Sequence, residues 1–192
     1  MFKKALLLAA FGSLSMASFA EPLTYIIDSA HTYPAFEADH QGGLSLWRGK
    51  INSTTGVVIF DKEAETGTVS VEMDMNTIDF GFDAMNFSAT DHIIFAADFP
   101  TASYTGELVD FVDGAPTKVD GTLTLMGVSR DLDLDINQFL CKPHFRHGRE
   151  ICGADASTSF NRGDFGVDYG LDTGFLPEVT LNISIEAGIP ES

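Results

Sequence analysis

The run GTLTLMGVSRDLDLD at residues 121–135 sets an apolar side chain at every second position on either side of a glycine. Only an extended strand sends alternate side chains to opposite faces, so this two-residue period demands strand and excludes helix. Val119, Gly121, Leu123 and Leu125 share one face, while Leu132, Leu134 and Ile136 stand against Asp131, Asp133 and Asp135. Gly127 with Ser129 supplies a short turn, which makes the two runs a β-hairpin. The period returns at Val69, Val71, Met73 and Met75, and again at Leu181, Ile183 and Ile185. Further strands are expected at residues 25–28, 36–40, 44–51, 56–60, 102–109 and 154–160. About eight to ten short strands separated by turn residues give an all-β chain, an antiparallel barrel or sandwich.

Alternation also explains the acids. The outward positions of a half-buried sheet must be polar, so the aspartates are read as a solvated face and not as a site. Residues 82–95 break the period: Phe82, Met85, Phe87, Ile93, Ile94 and Phe95 fit one or two helical turns, a short helix or capping loop that Pro100 ends.

Lys3 and Lys4 precede an apolar run at residues 5–11, and Ser18 and Ala20 occupy the positions of a cleavage site before Glu21. This is the pattern of a secretory signal peptide at residues 1–20, followed by one domain at 21–192. Without the leader the chain carries 9 Lys and Arg against 28 Asp and Glu, a net charge of −19. That sign repels nucleic acid and anionic headgroups. The expected location is a bacterial periplasm.

Cys141, His144, His147 and Cys152 bring four zinc-type ligands within a dozen residues. In an exported protein with two cysteines, a Cys141–Cys152 disulfide is the simpler reading, with a metal site or separate thiols as alternatives. No metal set is assigned. The same stretch carries Lys142, Arg146 and Arg149, a local basic patch. His31 and His40 lie near Asp28 and Asp39 and are read as hydrogen-bonded histidines at a barrel rim, because no nucleophile or third ligand is spaced to complete a catalytic or metal set.

YIIDSAHTYPAFEADHQGGLSLWRGKINSTTGVVIFD at residues 25–61, FPTASYTGEL at 99–108, GTLTLMGVSRDLDLD, and NRGDFGVDYG at 161–170 together resemble the YceI-like family, in order and over nearly the whole body of the chain. The resemblance implies an extended, lipocalin-like antiparallel β-barrel that holds a long polyisoprenoid, of quinone (ubiquinone) or polyprenyl phosphate type, in its lumen. It also implies a binding protein with no enzymatic activity and no resident cofactor beyond the lipid. The chain departs from the family where an Arg-Asp-x-His-Leu motif is usual. AMNFSATDHIIF stands there, at residues 84–95, so no site is carried over from that motif.

Burial of isoprenoid carbon is non-directional, so such a lumen needs adaptable apolar walls and few polar contacts. Phe36, Trp47, Phe60, Met73, Met75, Tyr104, Phe160 and Phe165 are the expected flexible or flat wall groups, joined by Leu123, Leu125, Leu134 and Ile183 of the alternating faces. Expected partners are the lipid itself, a transient contact with the inner membrane or a membrane cytochrome, and a second copy in a homodimer. The competing readings are a metal- or histidine-dependent periplasmic enzyme using His31, His40, His144 or His147, and a filled barrel that acts only through partner contacts.

Overall fold

The computed structural model describes residues 21–191, so the expected leader lies outside the described residues. In chain order the strands are β1 (Leu23–Ile27), β2 (Tyr33–His40), β3 (Ser45–Ile51), β4 (Thr54–Asp61), β5 (Thr66–Asp74) and β6 (Ile78–Asp79). They continue as β7 (Thr101–Val112), β8 (Ala115–Leu125), β9 (Val128–Asp131), β10 (Leu134–Pro143), β11 (Glu150–Asn161) and β12 (Glu178–Gly188). Helix α1 (Asp83–Ser88) runs into a π turn at Ala89–Ile93 between β6 and β7.

Eight strands close a ring in the order β1-β4-β5-β7-β8-β10-β11-β12 and back to β1, every pairing antiparallel. Of the barrel or sandwich expected from the alternation it is the barrel that forms, the antiparallel barrel that the resemblance implies. It is extended on one side, because a single edge of β12 serves two strands. Ala187 and Gly188 pair with β1, whereas Val179 to Ser184 pair with β2, which carries β3 and then β6. The gap at Glu186 is bridged by the crossover itself: Asp28 N and Thr32 Oγ1 donate to the Glu186 carbonyl at 2.9 and 3.3 Å, and Glu186 N donates to Thr32 Oγ1 at 3.2 Å. The edge thus has no unpaired step where the chain passes from β1 to β2.

The β8–β9 hairpin turns at Met126 and Gly127, both at positive φ, the conformation a two-residue hairpin loop needs. Ser129, expected in the turn, lies instead in β9, with its hydroxyl 2.8 Å from Thr124 Oγ1. β9 and β10 keep one register against β8, interrupted at Leu132 and Asp133, where Tyr104 Oη donates to the Leu132 carbonyl at 2.9 Å. The Tyr104 ring lies over the α-carbon of Gly121, so any side chain at 121 would collide with it.

Along β10 the inward positions switch from even to odd numbers. A register shift between Ile136 and Gln138 inserts one residue, so Leu134 and Ile136 are followed inward by Phe139 and Cys141. Cys141 then sits opposite Cys152 on β11, and the two are disulfide-bonded. The bond removes both thiolates from the zinc reading and closes a loop of 11 residues' separation. In the chain-entropy account such a closure stabilises by about 3 kcal/mol.

Toward the disulfide end the barrel is filled. Phe60 stacks on Phe111 at 6.1 Å and meets Phe139 edge-on at 5.7 Å, among buried Tyr25, Leu108 and Val119. Tyr25 Oη donates to Glu150 Oε1 at 2.5 Å, and Lys62 pairs with the other oxygen of that carboxylate. At the opposite end α1 and its π turn pack Ala89, Ile93 and Ile94 onto Ile51, Met75, Ile78 and Ala102, so the expected short helix caps the ring.

Candidate functional site: an apolar cavity with a polar end

Between the aromatic plug and the cap lies a cavity of about 490 Å³, within the range of roughly 300–1,000 Å³ typical of small-molecule sites. Its wall follows from strand parity. On β2 the inward residues are Pro34, Phe36, Ala38 and His40; on β3 they are Trp47 and Ile51; on β5 they are Val69, Val71 and Met73. Gly49, the cross-strand partner of Phe36, has no side chain because the Phe36 ring occupies that space.

Ten of the twelve residues expected on the wall line this cavity: Phe36, Trp47, Met73, Met75 and Tyr104, then Leu123, Leu125, Leu134, Phe160 and Ile183. Phe60 and Phe165 do not. Phe60 belongs to the plug, where Phe111 and Phe139 enclose it. Phe165, 2% exposed, lies behind Phe160 with ring centres 5.2 Å apart. Parity assigns Phe60 to the interior and cannot separate a filled stretch of barrel from a hollow one, whereas Phe165 lies in a 3-10 turn to which strand parity does not apply.

On the upper wall, Phe80, Phe175 and Tyr169, which the sequence reading missed, join the expected Phe36, Trp47 and His40. Phe36, Phe80, Trp47, His40, Phe175 and Tyr169 form a chain of rings, with successive centres 5.4, 5.9, 4.9, 6.0 and 6.3 Å apart. All six line the cavity. Phe80 and Phe175 lie at element ends, where no alternating pattern exists to point at them. The opening is marked by Gln41 and Tyr169, the exposed members of the lining.

Polar groups are concentrated at this end. Asp39 Oδ2 accepts from Gly42 N and Leu176 N, each at 2.8 Å, and Oδ1 accepts from Gly43 N. The Leu176 bond, with those from Gly43 and Gly42, holds the carboxyl below its ordinary range and ties the β2–β3 turn to the segment before β12. Arg162, 7% exposed, continues the inward parity of Phe160 and donates from Nη1 to the Val167 carbonyl at 2.7 Å. Deeper in, burial pushes the Tyr104 phenol well up, with Asp133 and Asp120 adding to the effect, so it stays a donor at neutral pH.

The histidines divide. His40 lines the cavity at the rim, as expected, against Trp47 and Phe175. His31 is exposed outside it, with Nδ1 2.8 Å from Asp28 Oδ2, while the other oxygen of Asp28 accepts from Ala30 N at 2.9 Å. His144 and His147 stack at 3.9 Å on the β10–β11 loop, at the plugged end and far along the strands from the opening. His92 and Asp91, in the stretch that departs from the family motif, pair with each other at 3.1 Å on the exposed side of the cap.

The hydrogen bond to Asp28 raises the His31 pKa above 6.5, and the same bond lowers Asp28 below 3.8. The histidine's contribution to stability is therefore complete below pH 6.5 and is lost as pH rises through its raised value. The aspartate's contribution is present above pH 3.8 and is lost as pH falls through its lowered value. An NMR titration is expected to place His31 above 6.5 in the wild type and return it toward 6.5 in Asp28→Asn; identical midpoints would mean that the contact does not persist in solution.

A search of curated protein sequences finds no match. Among solved structures, a polyisoprenoid-binding domain from Saccharophagus degradans implicated in plant cell wall breakdown aligns with a TM-score of 0.64 at 17% identity, over 88% of this chain and 99% of that one. Burkholderia cenocepacia BcnA aligns with a TM-score of 0.64 at 19% identity, over 83% and 98% of the two chains. A Campylobacter jejuni YCEI protein aligns with a TM-score of 0.65 at 22% identity, over 77% and 88%. At such identities the likeness is one of fold. The family rests on the sequence: residues 25–187 match the YceI-like domain, and the chain belongs to the YceI-like family.

Proposed function

We infer that this protein is a periplasmic lipid-binding protein that encloses a long polyisoprenoid chain, of quinone or polyprenyl phosphate type, for storage or for passage through water. The observation that carries this reading is the cavity of about 490 Å³, walled by Met, Phe, Leu and Ile side chains on the inner face of a closed barrel. Such a wall stabilises hydrocarbon at about 25 cal/mol per Å² of apolar surface removed from solvent. Its methionines at 73, 75 and 85 adapt to a methyl-branched chain that a stiffer wall would not fit. The description of the S. degradans domain as polyisoprenoid-binding, on the same fold, agrees with this chemistry. The Cys141–Cys152 bond fits an oxidising compartment.

Binding, with no reaction, is the reading the lining supports. The histidine–aspartate pairs, His31 with Asp28 and His92 with Asp91, stand outside the cavity, and what the wall offers a ligand is shape, aromatic surface and a few hydrogen bonds. Organic extraction of protein purified without detergent from its native host, followed by mass spectrometry, is expected to yield an isoprenoid lipid near one per protein. Extracts free of lipid from a protein that also takes up none when it is offered would overturn the assignment.

A further inference from the structure

We propose that the β10–β11 loop is a membrane-docking tip: Phe145 enters the headgroup layer of an anionic phospholipid surface, Lys142 and Arg146 meet its phosphates, and the barrel is held by its closed end. The assignment goes beyond lipid carriage, because it does not depend on what the cavity holds.

Residues 142–149 read KPHFRHGR, with three of the chain's 11 Lys and Arg, two of its 5 His and no acid. The last rung of the hairpin sets Pro143 opposite Glu150, and the residues between them lie past it. Backbone bonds brace this tip. His144 N donates to the Arg149 carbonyl and Gly148 N to the His144 carbonyl, each at 2.8 Å. Arg146 N and Arg149 N donate to Nδ1 of His144 and His147 at 3.3 and 3.2 Å, and the two imidazoles stack at 3.9 Å. The result holds Phe145 out at 84% exposure, the highest among the large apolar side chains described.

Balancing an acidic surface would account for the cations and leaves that phenylalanine unexplained. The Arg146 guanidinium lies over the Phe145 ring, 5.1 Å from its centre. Leu140, 55% exposed, and Lys142 share the outward face of β10 that leads to the tip, because Cys141 between them points inward. An apolar ring rimmed by cations suits the boundary of an anionic bilayer, where the ring reaches the acyl chains and the cations stay among phosphates. Among the described residues Lys142 and Arg146 have no carboxylate oxygen within 4.0 Å, whereas Arg149 is paired with Glu191 and the neighbouring Lys62 with Glu150.

The acids that give the chain its net charge of −17 repel such a surface, and so select which end approaches it. Glu63 and Glu65, on the β4–β5 turn that Lys62 joins to the hairpin, confine the attraction to the tip itself. At physiological ionic strength charges more than about 8 Å from the surface are largely screened, so the tip is felt and the acidic body is not. Trp47 marks the other end. It pairs through Ala38 and Val179 with Phe160, about 33 Å of strand along β11 from Glu150. Docking by the tip therefore leaves the opening toward water.

The test uses the full secreted chain and vesicles of phosphatidylcholine, alone or with about 30 mol % phosphatidylglycerol. In flotation assays wild type is expected to bind the anionic vesicles about tenfold or more tighter than the neutral ones, a preference lost at about 1 M salt. Lys142→Gln and Arg146→Gln should each weaken anionic binding about fivefold, and Phe145→Ser about tenfold. Arg130→Gln, which removes an exposed cation from β9, should change nothing. All four side chains are exposed, so the variants should keep the wild-type unfolding midpoint. Brominated phospholipid should quench the indole introduced by Phe145→Trp and spare Trp47, the chain's single tryptophan. Equal binding to the two compositions, binding to neither, tip variants that bind as wild type does, or quenching of Trp47 would each overturn the assignment. A tip that takes poly-glutamate in preference to vesicles would also overturn it, and would give the loop to an acidic protein.

Discussion

Met73→Asp is expected to lower affinity for an isoprenoid lipid by at least about 100-fold while the barrel still folds. Met73 lies on β5 between Thr54 of β4 and Ala102 of β7, with its side chain on the cavity wall below the cap. In the empty protein a carboxylate at this position is hydrated by water entering the cavity, and the side chain it replaces is only partly buried. In the complex the same carboxylate is pressed against hydrocarbon and has no partner, which costs several kcal/mol, and each 1.4 kcal/mol is a factor of ten in affinity. The penalty therefore falls on the bound state. Glu72, the next residue, points outward and is exposed, so Glu72→Ala should leave uptake unchanged. Titrating a fluorescent isoprenoid into both variants provides the measurement. Equal binding by the two would move the lipid off the β5 wall.

That contrast between neighbouring residues is legible in the sequence because a strand's parity is legible. Met73 and Glu72, or Leu134 and Asp135, are sorted to opposite faces by spacing alone, and the structure keeps each on its expected side. Parity fails where one residue is inserted. The shift at Asn137 turns Phe139 and Cys141 inward, and neither the apolar count nor the turn residues nearby mark it. Depth along the barrel is also hidden. Phe36 and Phe60 have the same inward address, yet Phe36 borders the cavity and Phe60 is locked in the plug, a difference made by residues from β7 and β10 that are distant in sequence.

The polar end was readable in part. Arg162 stands two residues after inward Phe160, so continuing the β11 alternation through the turn would have pointed it into the barrel. The NRGDFG segment instead reads as turn chemistry, and the structure does form a 3-10 turn at Arg162–Phe165, capped by the Asn161 side chain on Gly163 N at 2.9 Å. Turn and site share the same residues. Phe80 comes from the β6–β7 connection and Tyr169 and Phe175 from the β11–β12 connection, and their meeting is a property of the closed ring that no local pattern encodes.

Phe60→Ala is expected to act in the opposite sense to the β5 variant, removing stability and sparing the ligand. Phe60 is 2% exposed and touches Phe111 and Phe139 in the plug, where the surrounding strands are hydrogen-bonded on both sides and have little room to collapse. Truncating such a side chain costs about 3–5 kcal/mol, the lost transfer energy plus the cavity left behind. A domain of this size holds on the order of 5–15 kcal/mol in total, so the midpoint of urea unfolding should fall by about a fifth or more. Lipid bound per folded molecule should not change, because the plug forms the floor beneath the cavity and not its wall. Lost lipid binding with an unchanged unfolding midpoint would show the lumen reaching down to Phe60, and would make the closed end of the barrel part of the site.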